Sequence, residues 1–349
     1  MNVDDFDYDL PPRFIAQSPL KRRDSSRLMR LDRATGAISH HIFSDIVDML
    51  RPNDVLVLNN TRVIPARLQA RKAATGGRAE ILLLKRLEGR RWQALIGGRN
   101  IREGAKLEFD DSDLTCLVRQ VLEKSLRVIE FSQPVDGLLR DKGEMPLPPY
   151  INLALDDAER YQTVYSAIEG SAAAPTAGLH FTRELLAKIR RRGVRLAHCT
   201  LHIGLDTFQP VTVERVEDHV IHSEFARLDP ENAAVINESI RAGGRVIAVG
   251  TTSARTLETA ACPARDKRGA DTLKSRLVVP LANHTDLFIA PGYRWKVVDA
   301  LVTNFHLPRS TLLMMLSAFA GREAMLRAYE TAKQADYRFY SFGDAMFVD

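Results

Sequence analysis

From Val55 to Phe131 the chain runs VLVLN (55–59), ARLQAR (66–71), AEILLLKR (79–86), WQALIGG (92–98), KLEF (106–109), LTCLVRQV (114–121) and LRVIEF (126–131). Each run is short and suits a pleated, half-buried surface, and Gly-Gly pairs or charged turns separate the runs at hairpin spacing. Seven short strands in succession indicate a small barrel or sandwich. Met145 to Tyr150, MPLPPY, closes the stretch as a stiff connector, because each proline fixes φ and steers the residue before it away from helix.

Beyond Asp156 the period changes. Helical spacing covers 158–167, 183–192, 230–242 and 310–335, and apolar strand-like runs at 194–203, 245–249 and 297–302 alternate with it. Such alternation builds an α/β layer. The expected fold is therefore α/β: a discontinuous α/β body of residues 1–66 and 150–349, interrupted at 67–149 by an inserted small β-barrel-like domain.

A chain of 349 residues can bury a full core without staples. Cys116, Cys199 and Cys262 are scattered and lack any CxxC spacing, so neither a disulfide framework nor a cysteine metal site is indicated. The start is acidic (Asp4, Asp5, Asp7, Asp9), unlike a secretion signal, and no apolar run reaches membrane-span length. A soluble, cytoplasmic protein is expected and, with no heptad or exposed-edge signal, a monomer. The net charge of +5 includes two basic clusters, Lys21-Arg22-Arg23 with Arg27, and Lys188 to Arg195. The second also fits the solvated end of a helix, whereas the first lies in a Pro-flanked irregular segment and suits phosphate contact better.

Several tightly written polar segments are candidates for chemistry. In YQTVYSAIEGSAAAPTAGLHFT (161–182) a block of tiny residues from Gly170 to Gly178 would let backbone approach a ligand, with His180 next and Thr182 as an N-cap. Close packing at a domain seam explains such a block equally well. On the strand ending at Ile203, alternation puts His198, Thr200 and His202 on one face, and His202, beside Gly204 at the strand end, is the stronger candidate. Gly250, Thr251 and Thr252 open a helix whose first amides suit a carboxylate or phosphate, and Arg255 can pair with either. His219 and His222 share a face if helical, yet no third ligand motif accompanies them, so an acid/base role for His222 or Glu224 outweighs a metal site. Asn304 and His306 project from a strand-to-helix loop. The aromatics of YRFYSFGDAM (337–346) suit either base stacking or a final strand docked on the core, with Arg338 and Asp344 as polar exceptions.

The order and wording of these segments, with YDLPPRFIAQSP (8–19), SSRLM (25–29), LVLNNTRVIPARL (56–68), PLPPYI (146–151), GTTSARTLE (250–258) and TNFHLPRSTLL (303–313), resemble the S-adenosylmethionine:tRNA ribosyltransferase-isomerases of queuosine biosynthesis. The resemblance runs nearly end to end. It implies transfer and isomerisation of the ribosyl moiety of S-adenosylmethionine onto 7-aminomethyl-7-deazaguanine at the tRNA wobble position, giving epoxyqueuosine with release of adenine and methionine. S-adenosylmethionine is then a cosubstrate, tRNA the partner, and no metal is expected.

That chemistry needs a base near the sulfonium, for which His180, His202, Glu224 and His306 form the candidate set without assignment among them. Thr176, Gly178, Gly250, Thr251, Thr252, Arg255 and Asn304 are the candidate cosubstrate contacts, and Lys21, Arg22 and Arg27 the candidate tRNA phosphate contacts. Two other classes stay open: an S-adenosylmethionine-dependent RNA methyltransferase, though no strand runs into a GxGxxG turn, and a non-catalytic tRNA-binding protein. One departure from the family wording is Asp206 in LHIGLDTF, where glycine is expected.

Overall fold

The computed structural model describes residues 1–122, 125–153, 155–204, 211–265 and 271–349, so Asp206 lies outside the described residues. The chain divides into two compact units, one of Met1–Thr61, Pro149–Ile168 and Pro175–Asp349, the other of Arg62–Pro148 and Glu169–Ala174.

In chain order the strands begin with β1 (Arg27–Leu31), β2 (Ile38–Ile42), β3 (Val55–Asn59), β4 (Thr61–Val63), β5 (Arg67–Lys72), β6 (Arg78–Arg86), β7 (Arg91–Gly97), β8 (Lys106–Glu108), β9 (Thr115–Val121) and β10 (Leu126–Phe131). They continue with β11 (Ile168–Ser171), β12 (Arg195–Leu201), β13 (Glu224–Leu228), β14 (Val246–Val249), β15 (Ala261–Arg265), β16 (Asp271–Val278), β17 (Leu281–Thr285), β18 (Ala300–Asn304) and β19 (Ala345–Val348). The α-helices are α1 (Ile46–Met49), α2 (Asp136–Lys142), α3 (Arg183–Arg191), α4 (Pro230–Arg241), α5 (Thr251–Ala260), α6 (Thr311–Ala320) and α7 (Arg322–Gln334).

The first unit is built on a nine-stranded sheet in the order β17-β13-β12-β3-β14-β18-β19-β1-β2. Its centre, β12-β3-β14-β18, is parallel; β19 runs antiparallel to β18, and β1 pairs in parallel with β19. Along β3, Val55 and Val57 enter one core while Leu56 and Leu58 enter the other, and β14 divides Val246 and Ala248 from Ile247 and Val249 in the same way. A period of two in an all-apolar strand thus feeds both faces, which is how a central parallel strand is buried. Helices α4 to α7 cover the first face, through Ile236, Leu257, Met314 and Tyr329, and α3 covers the second through Leu185, Leu186 and Ile189. The chain therefore reaches a helix on one face after β3 and on the other after β14, so their neighbouring carboxyl ends flank a topological switch point.

The second unit is a closed six-stranded barrel, β10-β7-β6-β5-β8-β9. On β7, Trp92, Ala94 and Ile96 are buried while Arg91 and Gly97 are exposed, the alternation a barrel wall requires. VLVLN, read as a seventh strand of this module, is instead β3, and its five buried residues belong at the centre of the body sheet.

Other departures have local causes. The helix expected over 158–167 is a single 3-10 turn, Ala158–Tyr161, after which the amides of Ala167 and Ile168 donate to the Asn60 carbonyl at 2.8 and 3.2 Å. The helix over 310–335 breaks at Gly321, whose φ of 85° separates α6 from α7. The strand expected at 297–302 starts at Ala300, because Glu258 accepts the amides of Val297 and Val298 at 2.9 and 3.0 Å and holds them out of the sheet. In YRFYSFGDAM only Ala345 and Met346 are strand; Tyr337 to Phe342 lie in the preceding loop, packed among other rings. His219 follows a 3-10 turn in extended conformation, so it shares no helical face with His222.

Candidate active site at the carboxyl edge of the parallel strands

Parallel strands deliver their next residues to a common edge. Here β3 delivers Asn59 to Thr61, β12 delivers His202, β14 delivers Gly250 to Thr252, and β18 delivers Asn304 to His306. Because β19 opposes β18, with Asn304 beside Ala345, the amino ends of β19 and β1 reach this edge too, bringing Asp344 and Ser26.

His180 ends the 3-10 turn Thr176–His180 and is buried, with its ring stacked on Phe43 at 4.9 Å. Its Nδ1 lies 2.7 Å from Ser26 Oγ and its Nε2 lies 3.1 Å from Asn304 Nδ2. The Asn304 amide is oriented by two further bonds: Nδ2 donates to the Tyr340 carbonyl at 3.3 Å, and Oδ1 accepts from Thr176 Oγ1 at 3.1 Å. An amide nitrogen only donates, so Nε2 accepts and the proton of the neutral ring sits on Nδ1, directed at Ser26. Burial, then Arg23 and Arg338, push the His180 imidazole down to about 3, which keeps it neutral.

Ser26 and His180 line a small surface cleft that also has Arg23, Arg338, Leu179 and Phe342 in its walls. Burial and the neighbouring Arg160 pull the Arg23 guanidinium down to about 10, so an anion would relieve it. Arg338 is held by Asp344, which accepts its amide at 2.8 Å and its guanidinium at 3.3 Å and also accepts the Arg27 amide at 3.0 Å. Tyr340 holds the left-handed φ of 69°, an unusual conformation for a bulky residue that aims its carbonyl at Asn304.

A second group lies further along the edge. Asn59 Nδ2 donates to the Leu201 carbonyl and to Thr252 Oγ1, both at 3.0 Å, tying β3 to β12 and α5. His202 Nδ1 is 2.8 Å from Thr61 Oγ1 and its ring stacks on Phe225 at 5.9 Å. Among the described residues its Nε2 has no hydrogen-bond partner, and burial lowers its proton affinity. Gly250, at φ 86°, adopts a conformation that favours glycine and packs against the 3-10 turn, since a Cβ there would lie 3.6 Å from Ala177 Cβ.

The remaining sequence candidates have partners of their own. Glu224 and Arg255 form a buried ion pair; Arg255 also donates to the carbonyls of Leu287 and Thr285 at 3.1 and 3.3 Å, and Glu224 accepts the Gly204 amide at 2.9 Å. Both side chains thus hold structural partners in this buried pair. Arg27 is half-buried; it donates to the Ala335 carbonyl and covers the Tyr337 ring at 3.9 Å. Gly178 answers a packing need: a Cβ there would sit 2.0 Å from Tyr165 Oη. Ala172 to Ala174 are buried as well. His306 is held by Thr303 Oγ1 at 2.8 Å, by Tyr8 and by Tyr329, and burial takes it down to about 3. Lys21 and Arg22 remain exposed, Arg22 with Asp24 at 2.7 Å.

Thr176, Asn304 and His180 do come together, and Thr251 and Thr252 are buried beside the second group. Sequence reasoning missed Ser26, Arg23 and Arg338 as site residues. Ser26 stood within the quoted SSRLM, and Arg338 with Asp344 were the polar residues in an aromatic segment, but only the strand pairing reveals that they meet His180. Among the described residues no group of three or more metal-ligating side chains converges, and no helix is long and apolar enough to cross a membrane.

The family described as "Queuosine biosynthesis protein" matches residues 3–348. A solved structure, the S-adenosylmethionine tRNA ribosyltransferase of Thermotoga maritima, is 39% identical over 99% of this chain and 100% of its own, with a TM-score of 0.55.

Proposed function

Because the chain belongs to the queuosine biosynthesis family, we propose that it transfers and isomerises the ribosyl moiety of S-adenosylmethionine onto 7-aminomethyl-7-deazaguanine in the wobble position of tRNA. The product is epoxyqueuosine-tRNA, with adenine and methionine released. The observation that carries the reading at residue level is the neutral His180 network opening on a cleft with two arginines.

In this reading Arg23 and Arg338 receive the methionine carboxylate, for which a guanidinium fork is well shaped. Thr176 and Asn304 orient the nucleoside, and Gly250, Thr251 and Thr252 complete the wall of the site. His180 is a positioning residue, because both of its nitrogens are engaged. His202 is the base: it is desolvated, oriented by Thr61, and has an open Nε2 among the described residues. It takes the proton from the carbon beside the sulfonium, adenine leaves, the exocyclic amine attacks the opened sugar, and epoxide closure expels methionine. Lys21 and Arg22 contact tRNA phosphates, the enzyme acts as a monomer, and the cytoplasm supplies both substrates.

The test uses S-adenosylmethionine labelled separately in ribosyl and methyl carbons, with tRNA bearing the aminomethyl base. Ribosyl label in RNA with free adenine and methionine is expected. Methyl label in RNA would make the protein a methyltransferase, and no product would leave a binding protein. For His202→Ala we expect kcat to fall by about 10²–10⁴-fold with tRNA affinity unchanged; a loss confined to tRNA binding would refute the base assignment.

A further inference from the structure

The net charge of the chain is not spread evenly. Residues 62–148 hold 17 Lys and Arg against 12 Asp and Glu, an excess of five that equals the +5 of the whole sequence. Within the barrel the excess is polarised by topology. Arg71 pairs with Arg78 and Glu80 with Gly97, so the β5–β6 turn and the β7–β8 loop share one end of the barrel. With the strand ends beside them these connections carry Lys72, Arg78, Arg99, Arg102 and Lys106 against Glu103 among the described residues, while Glu80, opposite Gly97, is paired with Arg67 at 3.9 Å. Counted the same way, the opposite connections with their strand ends, 86–91 and 108–115, carry Glu88, Glu108, Asp110, Asp111 and Asp113 against Arg86, Arg90 and Arg91.

The cationic end is built rather than incidental. Gly77 leaves room for Lys72, whose side chain a Cβ there would meet at 2.7 Å, and the Lys72 ammonium donates to the Arg99 carbonyl at 3.1 Å. Gly98, at φ 137°, lets the loop cross close to the Arg78 carbonyl, 3.2 Å from where a Cβ would stand. Ile101 is buried and pins the loop, so Arg99 and Arg102 are held on its exposed side. Among the described residues none of Lys72, Arg78, Arg99 and Arg102 forms an ion pair, unlike Arg71 with Asp110 or Arg119 with Glu130. Exposed Arg78, Arg99 and Arg102, with half-buried Lys72 beneath them, are cations without carboxylate partners on one barrel end and suit the phosphates of a nucleic acid strand.

We propose that this end of the barrel, marked by Lys72, Arg78, Arg99 and Arg102, is a docking surface for the phosphate backbone of the tRNA. The inference rests on the tRNA-modification reading, and the test separates the two. Arg78, Arg99 and Arg102 are changed together to Gln, and a control variant changes Lys85, Arg90 and Arg140, cations elsewhere on the same unit, to Gln. Both variants are checked for an unchanged thermal midpoint, and unmodified tRNA affinity is measured across a salt series.

The rim variant should bind about tenfold or more weakly, with a salt slope shallower by about two, and should raise KM for tRNA while kcat at saturation holds. The control variant should keep most of the wild-type affinity. Equal losses in both variants, or an unchanged affinity and slope in the rim variant, would overturn the docking surface while leaving ribosyl transfer by the wild type intact. Failure of the wild type to transfer ribosyl label would instead overturn the functional reading.

Discussion

Asn304 fixes a proton position by being a donor where His180 needs an acceptor's partner. Asn304→Asp removes that donor, so the neutral His180 ring should carry its proton on Nε2, with Ser26 donating to Nδ1. Imidazole nitrogen chemical shifts should report the exchange of tautomers, and unchanged shifts would mean that Asn304 does not set the proton. The Glu224–Arg255 pair makes a second prediction at this scale. Both side chains are under a tenth exposed, so Glu224→Leu alone should destabilise by about 3–5 kcal/mol through the stranded guanidinium. Adding Arg255→Met should recover much of that loss in denaturant midpoints. Neither role was legible in the sequence, because alternation along a strand gives a face but not the partner, which lies 31 residues away for Glu224 and 124 for Asn304.

Elements were legible where one signal acted alone and obscure where two competed. The helices α3 and α4 follow their amphipathic spacing, and the Thr182 cap forms as read, accepting the Leu185 amide at 3.1 Å. The stretch after Tyr161 had helical spacing too, but tertiary amide bonds to Asn60 draw it into extended chain. The block of tiny residues fits both close packing and ligand approach, and at Gly178 the structure shows close packing. Gly178→Ala should therefore cost about 1–3 kcal/mol by overpacking. Tyr165→Phe deletes the hydroxyl it would strike, one with no hydrogen-bond partner among the described residues, and should rescue the double variant in a denaturation cycle.

At the scale of the whole molecule, acid should unfold the protein earlier than its carboxylates alone would. His180 and His306 are held down to about 3 by burial, whereas the unfolded chain protonates both near 6.5. Their stabilisation is complete above about pH 6.5 and is lost as pH falls from there toward 3, at up to about 1.4 kcal/mol per pH unit for each ring. His306→Gln, which keeps a donor toward Thr303, should flatten stability against pH by about one proton over that window; an unaltered slope would place the uptake elsewhere. The charge polarity of the barrel has a colloidal side as well. Outside residues 62–148 the chain holds 32 basic and 32 acidic residues, so the mutual repulsion of dissolved copies comes from one quarter of the chain. An RNA fragment of about five phosphates would cancel it. Short oligonucleotides near charge equivalence should therefore cloud the solution, and an excess should clear it again as the particles turn anionic.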